Sequence, residues 1–147
     1  MNLFTVLMFY GVSCVMDPKT ICNVQFVENA DGDTFTVNMP GQGHPVFTER
    51  IPVRILGIDA AEMSSTDPCE LAVAAKGKEV LKRILVTAKR LDLQLVARDK
   101  YFRVLAVPVV DGLSVPQMMV DQRLAIGYDG STKKKIDWCA DPPKEKK

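Results

Sequence analysis

Asp31 and Asp33 flank Gly32 in the stretch NADGDTFTV, and Asp59 and Glu62 follow the apolar run VRILGI in GIDAAEM. Arg54 lies inside that run, and Arg103 follows DKYF. Carboxylate oxygens are hard ligands of the kind Ca²⁺ or Mg²⁺ takes. Two planar guanidinium forks suit the oxygens of a phosphate, and a further carboxylate beside them can act on a water. Arg54 sits between Val53 and Ile55, where an unpaired charge would be expensive to bury. It therefore marks either a structural ion pair or an anion site. Taken together the residue types fit metal-assisted hydrolysis of a phosphodiester. Asp-Gly-Asp is also ordinary turn chemistry, and only a fold can bring groups so far apart in sequence together.

Other chemistries are poorly supplied. The one histidine, His44, lies in a loop between Gly43 and Pro45, where exposed filler is a plainer reading than a catalytic base. That removes histidine-dependent nucleophilic catalysis and the usual zinc hydrolase sites. Neither GxxxxGK[ST] nor GxGxxG occurs, so no nucleotide-cradling loop is written in the chain. The net charge of +1 announces no polyanion partner through an overall field. Lys133, Lys134 and Lys135 form a basic run, and Lys144, Lys146 and Lys147 end the chain. A solvated tail is the simpler account of such runs, with nucleic-acid tethering as the alternative.

A chain of 147 residues with 47% hydrophobic content has room for one core. ICNVQFV (21–27) and TFTVNM (34–39) alternate as strands on either side of the Asp-Gly-Asp turn. VFTERIPVRILGI (46–58) reads as one long strand, with Pro52 marking an edge or a bulge. Asp67, Pro68 and Glu70 are an N-cap, a first helical residue and a capping box for a helix running to about Lys89. Leu71, Ala74, Leu81, Ile84, Leu85 and Ala88 form its apolar stripe. Gly77 inside it costs about 1 kcal/mol relative to Ala, which a close approach of neighbouring backbone would explain. LDLQLVA (91–97) and RVLAVPVV (103–110) are further strands, and VPQMMVDQRLA (115–125) is a short closing helix with Met118, Met119 and Leu124 inward. Three strands, a helix, two strands and a helix suit a mainly β protein with helices, an α+β domain built on a five-stranded OB barrel. The domain would span 20–140, behind a leader of 1–16 and before a basic tail of 141–147.

Residues 3–16 are mostly apolar and uncharged, a signal-peptide core too short to span a bilayer. Gly11 and Ser13 are placed for cleavage before Cys14, which could then accept lipid. No Lys or Arg precedes the run, which argues the other way, for a buried lead-in. Export to the periplasm or the medium is the expectation, and it would permit disulfides. Cys14, Cys22, Cys69 and Cys139 include no CxxC, so zinc is not indicated. Cys69 with Cys139 is the preferred pair because it would pin the C-terminal segment to the body. Four free thiols in a cytosolic protein are the alternative.

DGDTFTV, VRILGIDAAE, DKYFRVLAV and LA before a tyrosine together resemble the staphylococcal nuclease (thermonuclease) family, over about residues 24–128. YDGSTKKKIDWC, with Cys69 before the helix, resembles its short proteobacterial and plasmid-borne members. The resemblance implies a five-stranded OB barrel and a Ca²⁺-dependent nuclease acting on DNA and RNA, endo- or exonucleolytically, leaving 3′-phosphate ends. By the same resemblance Asp33, Asp59 and the backbone carbonyl of Ala60 hold the metal, and Glu62 acts on the attacking water. Arg54 and Arg103 hold the scissile phosphate, Lys100 and Tyr101 contact a terminal phosphate, and Tyr128 stacks on a base. A monomer acting on single-stranded or fraying nucleic acid is expected.

The sequence departs from the family pattern at Ala61, where a proline is usual, and at Phe102, where a glycine is usual. The first loosens the turn that aims Glu62. The second places a bulky residue where the family's glycine would allow positive φ. Neither removes a charged group. Two other functions remain open: a non-catalytic OB module that binds nucleic acid or protein, and an exported factor whose surface matters rather than its cleft.

Overall fold

The computed structural model describes residues 13–147, so most of the apolar leader, residues 1–12, lies outside the described residues. In chain order the elements are β1 (Gln25–Asn29), β2 (Thr34–Asn38), α1 (Pro45–Thr48), β3 (Ile51–Ile55), β4 (Ile58–Ala60), α2 (Pro68–Thr87) and β5 (Leu91–Arg98). They continue with β6 (Val104–Val110), β7 (Leu113–Ser114), α3 (Val115–Asp121), β8 (Ala125–Gly127), β9 (Ile136–Asp137) and β10 (Lys144–Glu145). The main sheet runs β1-β2-β3-β6-β5, with β7 added to β6. Just before β1, Ile21 exchanges backbone hydrogen bonds with Leu93 of β5, and Val24 N–H donates to Leu91. The two edges of the sheet are thereby drawn together. The result is the expected mainly β architecture, a mixed sheet curled toward a barrel with helices packed on it.

Alternation along the strands builds the core. Phe35 and Val37 of β2, Val53 of β3, Leu93 of β5 and Ala106 of β6 are all fully buried. Leu81 and Leu85 of α2 and Met119 of α3 close over them, each such side chain contributing about 1.5–3 kcal/mol by leaving water. Asp67 caps α2 as expected, accepting from Cys69 and Glu70 N–H. The reciprocal half of the capping box is rerouted: Ser65 Oγ accepts from Asp67 N–H, and Glu70 accepts from the Ser65 hydroxyl. The buried face of α2 is Ala74, Gly77, Val80, Leu81 and Leu85, while Leu71 is left 40% exposed.

Several boundaries differ from the sequence reading, each for a local reason. The run 21–27 is broken at Asn23, whose φ is 58° and whose N–H donates to Asp92 Oδ1. Strand β1 starts only after that kink. The long strand 46–58 is three pieces. His44 is no filler: its ring nitrogen accepts from Val46 N–H and caps α1, with Pro45 at the first position. Arg50 at φ 52° and Gly57 at φ 89° then bound β3 on either side. Leu124 and Ala125, expected in the closing helix, follow a break at Arg123 (φ 60°), and Ala125 begins β8, which pairs with β4.

All four cysteines are paired, Cys69 with Cys139 as expected and Cys14 with Cys22 in addition. The second bridge takes the thiol that a lipid on Cys14 would need. The final segment is not a free tail, since β10 pairs with β9 and Lys134 with Glu145. Among the described residues no helix is long and apolar enough to cross a membrane.

Candidate active site

Register places the arginines. In the parallel pairing of β3 with β6, Arg54 stands opposite Leu105. Arg103 is two residues before Leu105, so both arginines project from the same face of the sheet. Antiparallel pairing of β2 with β3 sets Thr34 opposite Arg54, which brings the Asp-Gly-Asp turn to the same end. That turn is seated on α2: Asn29 Nδ2 donates to Lys78 O at 2.8 Å and to Asp31 O at 3.0 Å. Asp31 Oδ1 accepts from Asp33 N–H. A Cβ on Gly32 would lie 3.0 Å from that of Ala60, so the turn needs glycine there. Gly77 faces Gly32 across the helix, but a Cβ on it would meet neighbours only at ordinary contact distance.

Arg54 is the hub. Its Nη2 lies 3.2 Å from Asp33 Oδ2 and 3.1 Å from Asp59 Oδ1. Its Nη1 donates to the carbonyl oxygens of Ile55 (2.9 Å) and Ile58 (3.0 Å). This guanidinium is turned inward, binding two buried carboxylates into one unit rather than facing solvent. Asp33 also accepts from Ala60 N–H at 2.8 Å and from the Thr34 hydroxyl at 3.1 Å. Burial raises the Asp33 pKa to about 6; the nearby Asp31 adds to the rise, while Arg54 and the Ala60 N–H oppose it. A carboxylate in that position gains from any additional positive charge.

Glu62 is the open member of the set, its side chain 54% exposed. The turn that carries it lacks the family's proline. Ala61 is instead buried with Ala74 under Trp138, so packing does the stiffening. Trp138 is itself held next to the Cys69–Cys139 bridge.

Arg103 is aimed by Asp99, which accepts from its Nε at 2.8 Å and its backbone N–H at 2.9 Å. Slight burial works against the Asp99 charge, but these hydrogen bonds prevail and hold its pKa below the usual value. The Arg103 guanidinium lies 5.5 Å from the centre of the Tyr101 ring, and Lys100 Nζ lies 5.2 Å from it. Phe102, at the tip of this turn, has φ 62° and is 80% exposed. The expected strain at this departure is present.

Asp33, Arg54, Ala60, Glu62, Lys100, Tyr101, Arg103 and Tyr128 all line one cleft of about 1090 Å³. Asp59 lines an adjoining hollow that shares Tyr128, Asp129, Ser131 and Thr132 with it. Carboxylate oxygens of Asp33 and Asp59 both turn to Arg54 Nη2, and carboxylate oxygens are the donors a hard divalent ion such as Ca²⁺ takes. In donor type, two buried carboxylates and a backbone carbonyl suit a hard divalent metal. Two contributors were missed in the sequence. Asp99 was legible as the first residue of a tight turn, DKYFR. Lys133 was not: counted in a solvated run, it lies 2.9 Å from Asp59 Oδ1 and 2.8 Å from Glu62 Oε1. Partial burial opposes its charge, but the bonds to Asp59 and Glu62 outweigh this and raise its pKa.

An OB-type sheet with this set of acids and arginines at one end defines a class, and the chain belongs to it: the staphylococcal nuclease homologue family, whose pattern matches residues 52–140. Asp33 lies ahead of the matched span. In Bacillus subtilis (strain 168), Endonuclease YncB is 32% identical over 123 residues, covering 78% of this chain. The alignment takes in 54% of that protein, so the chain spans about half the length of this curated relative.

Proposed function

We propose that the protein is a Ca²⁺-dependent nuclease that hydrolyses phosphodiester bonds of DNA and RNA. One observation carries the reading: Asp33, Glu62, Arg54 and Arg103 line a single cleft, and Arg54 ties Asp59 of the adjoining hollow to Asp33. A Ca²⁺ ion held by Asp33, Asp59 and the Ala60 carbonyl would supply Lewis-acid polarisation of a phosphate oxygen. Glu62, open to water, takes a proton from the attacking molecule. Arg103, fixed by Asp99, donates to the phosphate oxygens on which charge accumulates. Arg54 holds the two metal-binding carboxylates together and adds positive charge behind them. Water oxygen bonds to phosphorus as the bond to the 5′ oxygen breaks, and the departing oxygen takes a proton from solvent, leaving a 3′-phosphate and a 5′-hydroxyl. Tyr101, with Lys100 beside it, and Tyr128 offer aromatic faces and a cation but no base-reading edge, which favours single-stranded or fraying substrates. The two disulfides favour an oxidising compartment, as export would provide.

The test is digestion of single-stranded DNA by the purified protein in Ca²⁺ or EDTA, beside Glu62→Gln. Digestion in Ca²⁺ alone, falling by ~10²–10⁴-fold in the variant, is the expected result. Nucleic acid bound but uncut in every condition would establish the non-catalytic module instead.

A further inference from the structure

Among the described residues, Lys133 is the one cation that reaches two of the candidate acids from outside the sheet. Its ammonium bridges Asp59 Oδ1 and Glu62 Oε1 at 2.9 and 2.8 Å, joining an acid assigned to the metal with the acid assigned to the water. It is also the second cation on Asp59 Oδ1, which already pairs with Arg54. This lysine is not a loose surface residue. It sits on the stretch 128–135, anchored at one end by Tyr128 N–H to Gly57 O at 2.9 Å. The Tyr128 hydroxyl donates to Ser131 O, and Asp129 accepts from Ser131 N–H. Beyond it, Lys134 pairs with Glu145, Trp138 is buried against Ala61 and Ala74, and Cys139 is bonded to Cys69. Its neighbour Lys134 lines the hollow beside Asp59 but pairs with Glu145.

We propose that Lys133 is a resident counter-cation that competes with the divalent metal for this site. In the metal-free protein its ammonium neutralises Asp59 and Glu62; on metal binding it leaves them, because a divalent ion at an oxygen that already carries the Arg54 guanidinium strongly repels a further ammonium there. Metal binding is then an exchange of cations. Lys133 sets how much free metal the protein needs, and it keeps Glu62 tied up until that level is reached. This rests on the proposed metal site.

The experiment is calorimetric titration of metal-free protein with Ca²⁺, without nucleic acid, for wild type, Lys133→Gln, Lys133→Arg and Lys134→Gln, each checked for folding by circular dichroism. Lys133→Gln is expected to bind Ca²⁺ about tenfold tighter or more. Lys133→Arg keeps the charge and should stay within a few-fold of wild type. Lys134→Gln removes a charge from the same stretch without touching the acids and should change little. Equal or weaker Ca²⁺ binding by folded Lys133→Gln, with wild type binding normally, overturns the proposal and leaves the nuclease reading intact. So does an equal gain in Lys134→Gln, which would reduce the effect to net charge. No Ca²⁺ binding by any form overturns the metal site and this proposal with it.

Discussion

Asp33→Asn should stabilise the metal-free protein while abolishing its response to Ca²⁺. Asp33 is buried at 6% exposure, and its pKa is raised from 3.8 to about 6. A rise of that size corresponds to about 3 kcal/mol of destabilisation at neutral pH, where the group must ionise in the folded state. Asparagine removes the charge and keeps an oxygen to accept from Ala60 N–H. That same oxygen also faces Arg54 Nη2, so the contact persists without its charge, and Arg54 retains Asp59 at 3.1 Å. The net gain expected is about 1–3 kcal/mol, a rise in Tm of roughly 3–10 °C. The pH dependence has a definite sign. Because the folded pKa lies above the unfolded one, the folded state takes up the proton first on acidification. Wild-type stability from this group therefore rises as pH falls from about 7 through 6, and its penalty is gone below 3.8. The gap between variant and wild type should be largest at pH 7 and close by about pH 4. Thermal or urea unfolding in EDTA at pH 7, 6, 5 and 4 measures it. With Ca²⁺ added the order should reverse, since only wild type keeps the ligand. A variant no more stable than wild type at pH 7 in EDTA, or a gap that does not change with pH, would refute the burial argument.

The two disulfides should differ in worth. Cys69 and Cys139 are separated by 70 residues, Cys14 and Cys22 by 8, so loop-closure entropy assigns about 4 kcal/mol to the first and about 2.5 to the second. Unfolding of Cys69→Ala/Cys139→Ala beside Cys14→Ala/Cys22→Ala should reproduce that order, and the reverse order would contradict it. Phe102→Gly should raise stability by about 0.5–1 kcal/mol, because φ 62° is relieved and a side chain 80% exposed gives up no core. A higher urea midpoint with an unchanged slope is the expected signature.

The sequence carried the parts of the fold that rest on local chemistry. Asp67-Pro68 starts α2 because cap and fixed φ act within three residues, and the alternation Phe35, Val37 needs only a buried face. It did not carry the interruptions. Asn23, Arg50 and Arg123 each adopt positive φ within stretches whose apolar pattern continues across them, so periodicity ran on where the backbone turned. The acids and arginines of the candidate site were visible as residue types at strand ends. Their grouping was not, because it depends on a parallel register between β3 and β6 that no local pattern encodes. Lys133 was hidden for the opposite reason: a lysine among lysines has no distinguishing neighbour, and it is the pairing of β8 with β4, the bridge at Cys139 and the packing of Trp138 that bring its stretch back over Asp59 and Glu62.

That parallel register has a consequence in time. β3 and β6 are separated by all of α2 and β5, and the lysine that closes the arrangement comes later still, at residue 133. No shorter stretch of chain holds Asp33, Arg54, Glu62, Arg103 and Lys133 together. A chain still emerging from the ribosome carries the earlier groups of the set before the later ones that arrange them exist. Under the proposed nuclease reading, the acids and arginines of residues 33–103 therefore stay unassembled, and inactive on nucleic acid, until residue 133 has joined them.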